Sequence, residues 1–276
     1  MDRIRLIASD MDATLLDEQS QLPADFEETI HALAELGIRF APASGRPLYT
    51  LEELFPTLRD ELVFIGDNGG AIRWKGQNLF TSEMSPEGWR ALNRLTREQG
   101  DIAVLCGLES AYVERPFAVH DAVLRHFYTK IEYVDRLEDV AAPADKFTIY
   151  LPQHNAQQAY DTVYASQRSI YSVAVAGECW VDIMNPGVHK GAALQTLGQL
   201  WGLPPECIMA FGDTYNDAEM LQTVRYGFLM ENGSVPLRRN VPFLAPSNRE
   251  AGVMQVLHRV LAQNGCVCPE DFVPAH

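Results

Sequence analysis

Asp10-Met11-Asp12-Ala13-Thr14-Leu15-Leu16 follows Ile4-Arg5-Leu6-Ile7-Ala8-Ser9, a short apolar run of the kind that forms a buried strand. Gly212-Asp213-Thr214-Tyr215-Asn216-Asp217, near the other end of the chain, follows a second such run, Cys207-Ile208-Met209-Ala210-Phe211. Both segments place carboxylates just beyond the carboxyl end of a strand, the edge at which open parallel α/β sheets bind ligands. If the two strands are neighbours, Asp10, Asp12, Asp213 and Asp217 converge. Carboxylates that close repel one another unless a cation neutralises them, and hard oxygen ligands suit Mg²⁺. Alone, Asp10 and Asp12 read equally well as a polar turn, and Asn216 and Asp217 as helix caps before Ala218, Met220 and Leu221.

Two further segments tip the balance toward phosphate chemistry. Ala43-Ser44-Gly45-Arg46 lies between the apolar stretch Ile38 to Pro42 and a helical pattern through Leu48, Leu51, Leu54 and Phe55. A Ser hydroxyl, backbone N–H groups freed by Gly and a helix amino terminus make a phosphate cradle. Lys190 opens a helix whose apolar face runs through Leu194, Leu197 and Trp201. A cation at the positive end of a helix dipole is disfavoured, and a nearby anion removes the conflict.

These four segments, in this order, resemble the haloacid dehalogenase superfamily of phosphohydrolases, and the layout is similar to its Cof-type branch of sugar phosphatases. Asp67-Asn68-Gly69-Gly70, Pro186 to Lys190, Met230-Glu231-Asn232-Gly233, Asn248 to Val253 and Cys106 to Val113 are further matches. The resemblance implies an α/β fold: a Rossmannoid core with a mainly parallel sheet, residues 1–83 and 188–276, and an inserted α+β cap of the C2 type, residues 84–187. It implies that Asp10 is a nucleophile forming an aspartyl phosphate and that Asp12 is the general acid and base. It also implies that Mg²⁺ is held by Asp10, the Asp12 main-chain carbonyl and Asp213. Met11, Ser44, Gly45, Lys190 and Asn216 would bind the phosphoryl group, with Asp217 and Arg46 behind them. Ala13 is a departure, since the family usually has Gly there, and Glu231 before Asn232 is another. The expected activity is hydrolysis of a sugar phosphate or related small phosphomonoester. A phosphosugar mutase or phosphotransferase on the same fold is the alternative. A phospho-receiver domain is a distant one, because a receiver carries its acidic pair and its acceptor on different strands and has no insertion.

Pattern supports the division. Phe26, Ile30 and Leu33 mark a helix stopped by Gly37, Leu62 to Ile65 a strand, and 71–74 with 78–80 a hairpin. Thr81 to Pro86 and Met184 to Gly187 read as hinges. Between them the expected elements are helices near 86–99, 117–127 and 154–167, extended pieces at 102–105 and 110–113, and strands at 146–151, 170–175 and 179–184. A closing helix carries Val253, Val256, Leu257 and Val260. Cys106 to Ser110 and His126 to Tyr128 are candidates for reaching the leaving group.

With 22 basic and 37 acidic residues among 276, the formal charge of −15 disfavours nucleic acid and anionic membranes as partners and leaves a small phosphorylated substrate. A site for phosphate must therefore supply its own positive potential. No targeting segment precedes the first strand and no apolar run approaches a membrane span, which points to the cytoplasm; a monomer or weak homo-oligomer is expected. Five scattered cysteines read as reduced thiols, and Cys266-Val267-Cys268 lacks the second ligand pair of a metal site.

Overall fold

A computed structural model describes residues 1–276. Nine strands form one sheet in the order Val273–Pro274, Phe243–Ala245, Tyr226–Met230, Ile208–Gly212, Leu6–Asp10, Arg39–Ala43, Val63–Gly66, Ala71–Trp74 and Gln77–Thr81. The six from Phe243–Ala245 to Val63–Gly66 run parallel, and antiparallel pairs close both edges. The central strands read as continuous apolar runs because helices cover both faces. Ile7, Phe40, Met209, Phe211 and Phe228 pack beneath the helices Phe26–Glu35 and Gly252–Ala262, while Leu6, Ala8, Ala41 and Ala210 pack beneath Lys190–Trp201 and Ala218–Thr223.

A second sheet takes all its strands from the middle of the chain. Its order is Ser172–Val175, Trp180–Met184, Ala144–Tyr150, Ile102–Gly107, Ala111–Glu114 and Ile131–Val134, with only the last pair parallel. One face buries Trp89 and Leu92 of the helix Pro86–Gln99 against Leu105, Phe147 and Ile183. That helix begins where Ser85 accepts a hydrogen bond from Gly88 N at 3.1 Å and stops at Gly100, whose φ is +75°. The other face carries Tyr128, Tyr150 and Trp180. Where the chain enters and leaves this sheet the two crossings are tied together, because Asn185 Nδ2 donates to the carbonyls of Ser82 at 3.2 Å and Glu83 at 2.8 Å.

Several elements differ from the sequence reading. The helix expected near 117–127 is a 3₁₀ segment, Arg115–His120, followed by an α-helix, Asp121–Phe127; no residue of the first part is buried, so no packing extends the helix through it. The helix expected over 154–167 is confined to Ala156–Asp161, because Thr162 Oγ1 bonds the Gln158 carbonyl at 2.7 Å and its backbone leaves the helical region. Strands Ile131–Val134, Tyr226–Met230 and Phe243–Ala245 had not been singled out.

The loop after Leu6–Asp10 turns through Ala13, whose φ of +60° and ψ of +8° lie in the left-handed region. This is the position at which the resembled family carries Gly. The loop is clamped despite the strain: Asn232 Nδ2 donates to Ala13 O at 2.8 Å, and Asn248 Nδ2 to Leu16 O at 2.9 Å. A left-handed Ala costs about 1–2 kcal/mol, while Gly adds about 0.4–1 kcal/mol of unfolded-state entropy. Ala13→Gly is therefore expected to leave Tm unchanged or raise it by up to about 4 °C in a thermal melt. A drop of several degrees would show that the Ala13 methyl contributes packing that outweighs its backbone strain.

Candidate active site

Strands Leu6–Asp10 and Ile208–Gly212 are adjacent, with Phe211 opposite Ser9, so their ends deliver Asp10 and Asp213 side by side. On the other flank Asp10 pairs in register with Ala43, which brings Ser44 to the same edge. Asp10, Asp213 and Asp217 are all buried, and each offers a carboxylate oxygen within 4.8 Å of the others.

Asp217 joins this trio because Gly212 has no side chain: a Cβ there would lie 2.6 Å from Asp217 Cγ. Asp217 Oδ2 then accepts from the backbone N–H of Asp213 at 3.0 Å and of Thr214 at 3.2 Å, so the tight turn between the paired acids is held by the second of them. Lys190, fully buried at the start of its helix, donates to Asp217 Oδ1 at 2.7 Å and makes a very short contact with Asp10 Oδ1. The helix carrying it approaches the next one closely, since a Cβ on Gly191 would sit 2.7 Å from the Glu219 carbonyl. Two carboxylates thus answer the cation-at-N-terminus conflict visible in the sequence.

Three buried carboxylates face one ammonium. Burial, with repulsion from Asp217 and Asp213, outweighs the attraction of Lys190 and pushes the Asp10 carboxyl up to about 8. Burial and Asp217 raise Asp213 to about 6. Burial opposes a charge on Lys190, but Asp10 and Asp217 overcome it and hold the ammonium above its ordinary value. The set has an excess of negative charge, oxygen donors only and little solvent, so it fits a hard divalent cation. Asp10 and Asp213 can supply ligand oxygens, whereas both oxygens of Asp217 are already engaged.

Asp12 lies outside the trio. Its carboxylate is half exposed and forms a two-oxygen pair with Arg46 Nη2, at 2.9 and 3.1 Å. Ser44 is buried, and its hydroxyl accepts from the Arg46 N–H at 3.1 Å. Asn216 Oδ1 accepts from Thr214 Oγ1 at 2.6 Å, and its amide reaches Asn68 Oδ1 at 3.5 Å. Met11 is buried at the base of the loop. The acids, Ser44, Arg46 and Lys190 singled out from the sequence stand at this edge, divided between the trio with Lys190 and the Asp12, Ser44 and Arg46 side.

A cavity of about 160 Å³ adjoins Asp12, Ser44 and Arg46 and is closed from the second sheet by Phe127, Tyr128, Trp180, Lys146 and Thr148. Of the leaving-group candidates, Phe127 and Tyr128 line it. Cys106 is buried within the second sheet against Tyr128 and Thr148, and Glu109 pairs with Arg73 at 2.5 Å. Sequence reasoning passed over Thr14, whose hydroxyl lies 3.4 Å from Asp213 Oδ1, and Lys146. The available signal for Lys146 was a charged pair, Asp145-Lys146, at the head of an otherwise apolar strand.

A model of the haloacid dehalogenase-like hydrolases matches residues 7–257, and the chain belongs to that family. It is 32% identical over 262 residues to the 5-amino-6-(5-phospho-D-ribitylamino)uracil phosphatase YbjI of Escherichia coli, covering 94% of this chain and 96% of the relative. It is 30% identical to the HMP-PP phosphatase of Cronobacter sakazakii, covering 87% and 89%. The crystal structure of SMU.1108c from Streptococcus mutans superposes with a TM-score of 0.85 at 28% identity, over 94% of this chain and 99% of that one. The protein is accordingly a phosphoric monoester hydrolase, built on the Rossmann-like core of its family. No helix is long and apolar enough to cross a membrane.

The raised carboxyls predict how stability responds to pH. A carboxyl whose folded value exceeds its ordinary value near 3.8 favours the fold at low pH and withdraws that support as pH rises through the folded value, here about 6 for Asp213 and about 8 for Asp10. In chelator, Tm should fall between pH 6 and pH 8 for this reason. Millimolar Mg²⁺ should restore it, with a larger increment at pH 8 than at pH 6 in a fluorescence melt. An increment independent of pH would show that the trio is not where the ion binds.

Proposed function

We propose that the protein hydrolyses a sugar phosphate or related small phosphomonoester through an aspartyl phosphate on Asp10. The observation that carries this reading is the arrangement around Asp10. One of its oxygens is held by Lys190, and Ser44, Gly45, Asp213 and Asn216 line the cavity beside it, the space a phosphoryl group would occupy.

Lys190 orients the Asp10 carboxylate and supplies positive charge beside the attacking oxygen. Asp217 keeps that ammonium in place and braces the Asp213 turn. Asp12 stands at the mouth of the leaving-group cavity with Arg46 fixing its direction, where it can give a proton to the departing oxygen and later take one from water. Asp10, Asp213 and the Asp12 main-chain carbonyl would hold Mg²⁺. When bound, the ion supplies the charge neutralisation that lets a carboxylate approach a phosphate dianion.

In this reading residues 1–83 and 188–276 are the catalytic core and 84–187 a cap that selects the substrate. The core grips a phosphate common to every candidate, and the cavity between the two is walled by aromatic and polar side chains of the cap. The named substrate of YbjI, a phosphorylated ribityl chain joined to a flat ring, combines the two features such walls accept. It belongs in the test panel beside hexose and pentose monophosphates. Release of free phosphate separates hydrolysis from an isomerising mutase.

Asp10→Asn changes shape little and removes the nucleophile, so turnover should fall below about one hundredth of wild type. Residual activity above that level, with an intact circular dichroism spectrum, would sink the assignment. Asp12→Asn should cost much more on sugar phosphates than on p-nitrophenyl phosphate, whose leaving group needs no proton. Equal losses would speak against proton transfer by Asp12.

A further inference from the structure

We propose that Lys146, a residue of the second sheet, is a positioning residue that sets the Ser44-Gly45-Arg46 loop of the first. The inference rests on the reading of that loop as the phosphate cradle. Lys146 lies in the strand Ala144–Tyr150, and its side chain is 2% exposed. A buried ammonium is costly unless every one of its donors is answered, so its partners define what it is for. It donates to Gly45 O at 2.6 Å and stands in ion-pair range of Asp67 at 2.9 Å and Asp182 at 3.6 Å. Two of the three belong to loops at the carboxyl edge of the first sheet, and Gly45 is 101 residues away in sequence.

The Gly45 carbonyl belongs to the same planar peptide unit as the Arg46 N–H, so fixing one fixes the other. That N–H donates to Ser44 Oγ at 3.1 Å, and the Arg46 side chain carries the double contact to Asp12. One ammonium therefore governs the direction of the Ser44 hydroxyl and the root of the arginine that aims Asp12. The loop is propped from below as well: Asp67 N donates to Arg46 O at 3.0 Å and Asn68 N to Ser44 O at 2.9 Å. Asp67 and Asn68 both have φ near +50°, and this turn delivers the Asp67 carboxylate to Lys146. On the far side Asp182 is held by Thr148 Oγ1 at 2.7 Å, so the ammonium is anchored in its own sheet while it reaches into the other.

Simple attachment of the two sheets does not call for this arrangement, since Arg73 and Glu109 already join them at a more exposed point. Asp145, buried beside Lys146 with no hydrogen-bond partner for either oxygen, is pushed well above its ordinary value by burial and by Asp67. The phosphate loop thus takes its shape only when the second sheet is docked.

The test removes the ammonium and one negative charge together, in Lys146→Met/Asp182→Asn, and uses phenyl phosphate with Mg²⁺. A merely structural role would lower Tm and leave the turnover of the folded protein alone. The positioning role predicts that kcat falls at least tenfold with KM within threefold. It also predicts that inhibition by orthovanadate, a phosphoryl-shaped probe, weakens at least tenfold while circular dichroism stays native. Ser44→Ala serves as the reference. If Ser44→Ala leaves kcat and vanadate inhibition unchanged, the cradle reading fails. If it lowers them and the Lys146 pair does not, this inference alone is overturned. Should the Met variant not fold, Lys146→Gln/Asp182→Asn keeps polar atoms in place but stops one bond short of the Gly45 carbonyl, and the same criteria decide.

Discussion

Lys190 between Asp10 and Asp217 is the interaction on which the rest of the site depends. Three largely buried carboxylates within a few ångströms repel one another, and its ammonium is the positive charge set among them. One ammonium leaves the set short of neutrality, and the shortfall is what makes the place suited to a divalent cation and a phosphate. Stability and the proposed role of Asp10 pull in different directions here, as burial raises Asp10 and Asp213 at the pH where the proposed nucleophile must be ionised. The surrounding structure carries that conflict through small residues. Gly212 leaves room for Asp217, and Gly191 lets the Lys190 helix lie against its neighbour.

The same logic of local compensation answers the chain's charge of −15. A strongly acidic protein repels a phosphorylated substrate at a distance, but salt screens that repulsion beyond about 10 Å. The positive potential near the sheet edge comes from Lys190, Arg46, Lys146 and the N–H groups of the loops after the strands. All three cations are held by carboxylates on the protein, and the two lysines are buried with theirs. Arg46 is pinned by Asp12 alone, on the more open side facing the cavity.

Much of this was legible in one dimension. The strands ending at Asp10 and before Asp213 were readable because strands buried on both faces are apolar throughout, and the helices from Phe26, Pro86, Lys190 and near Val253 because their apolar spacing and stops are local. Elements without such signals were missed or overdrawn. Phe243–Ala245 is only three residues long, Tyr226–Met230 is interrupted by Gly227, and the helix expected through Thr162 ends where a side chain competes for a backbone carbonyl. Ala13 was noticed as a departure, and the left-handed backbone that makes it one appeared only with the fold.

Sequence alone determined which residue types stand at the ends of these elements: two acids after one strand, two after another, Ser-Gly-Arg after a third and a lysine opening a helix. Each is a local pattern of residue types, set by the hydrophobic period and by turn chemistry. Tertiary structure decided how those groups divide. It placed Asp217 with Asp10 and Asp213, turned Asp12 outward to Arg46, and brought Lys146 onto the Gly45 carbonyl. The long-range meetings, Asp10 with Asp213, Asp12 with Arg46 and Lys146 with Gly45, could not be read from spacing, because they join residues whose separation in the chain carries no information about distance in space. Their meeting is fixed by strand order, register and the docking of one sheet on another.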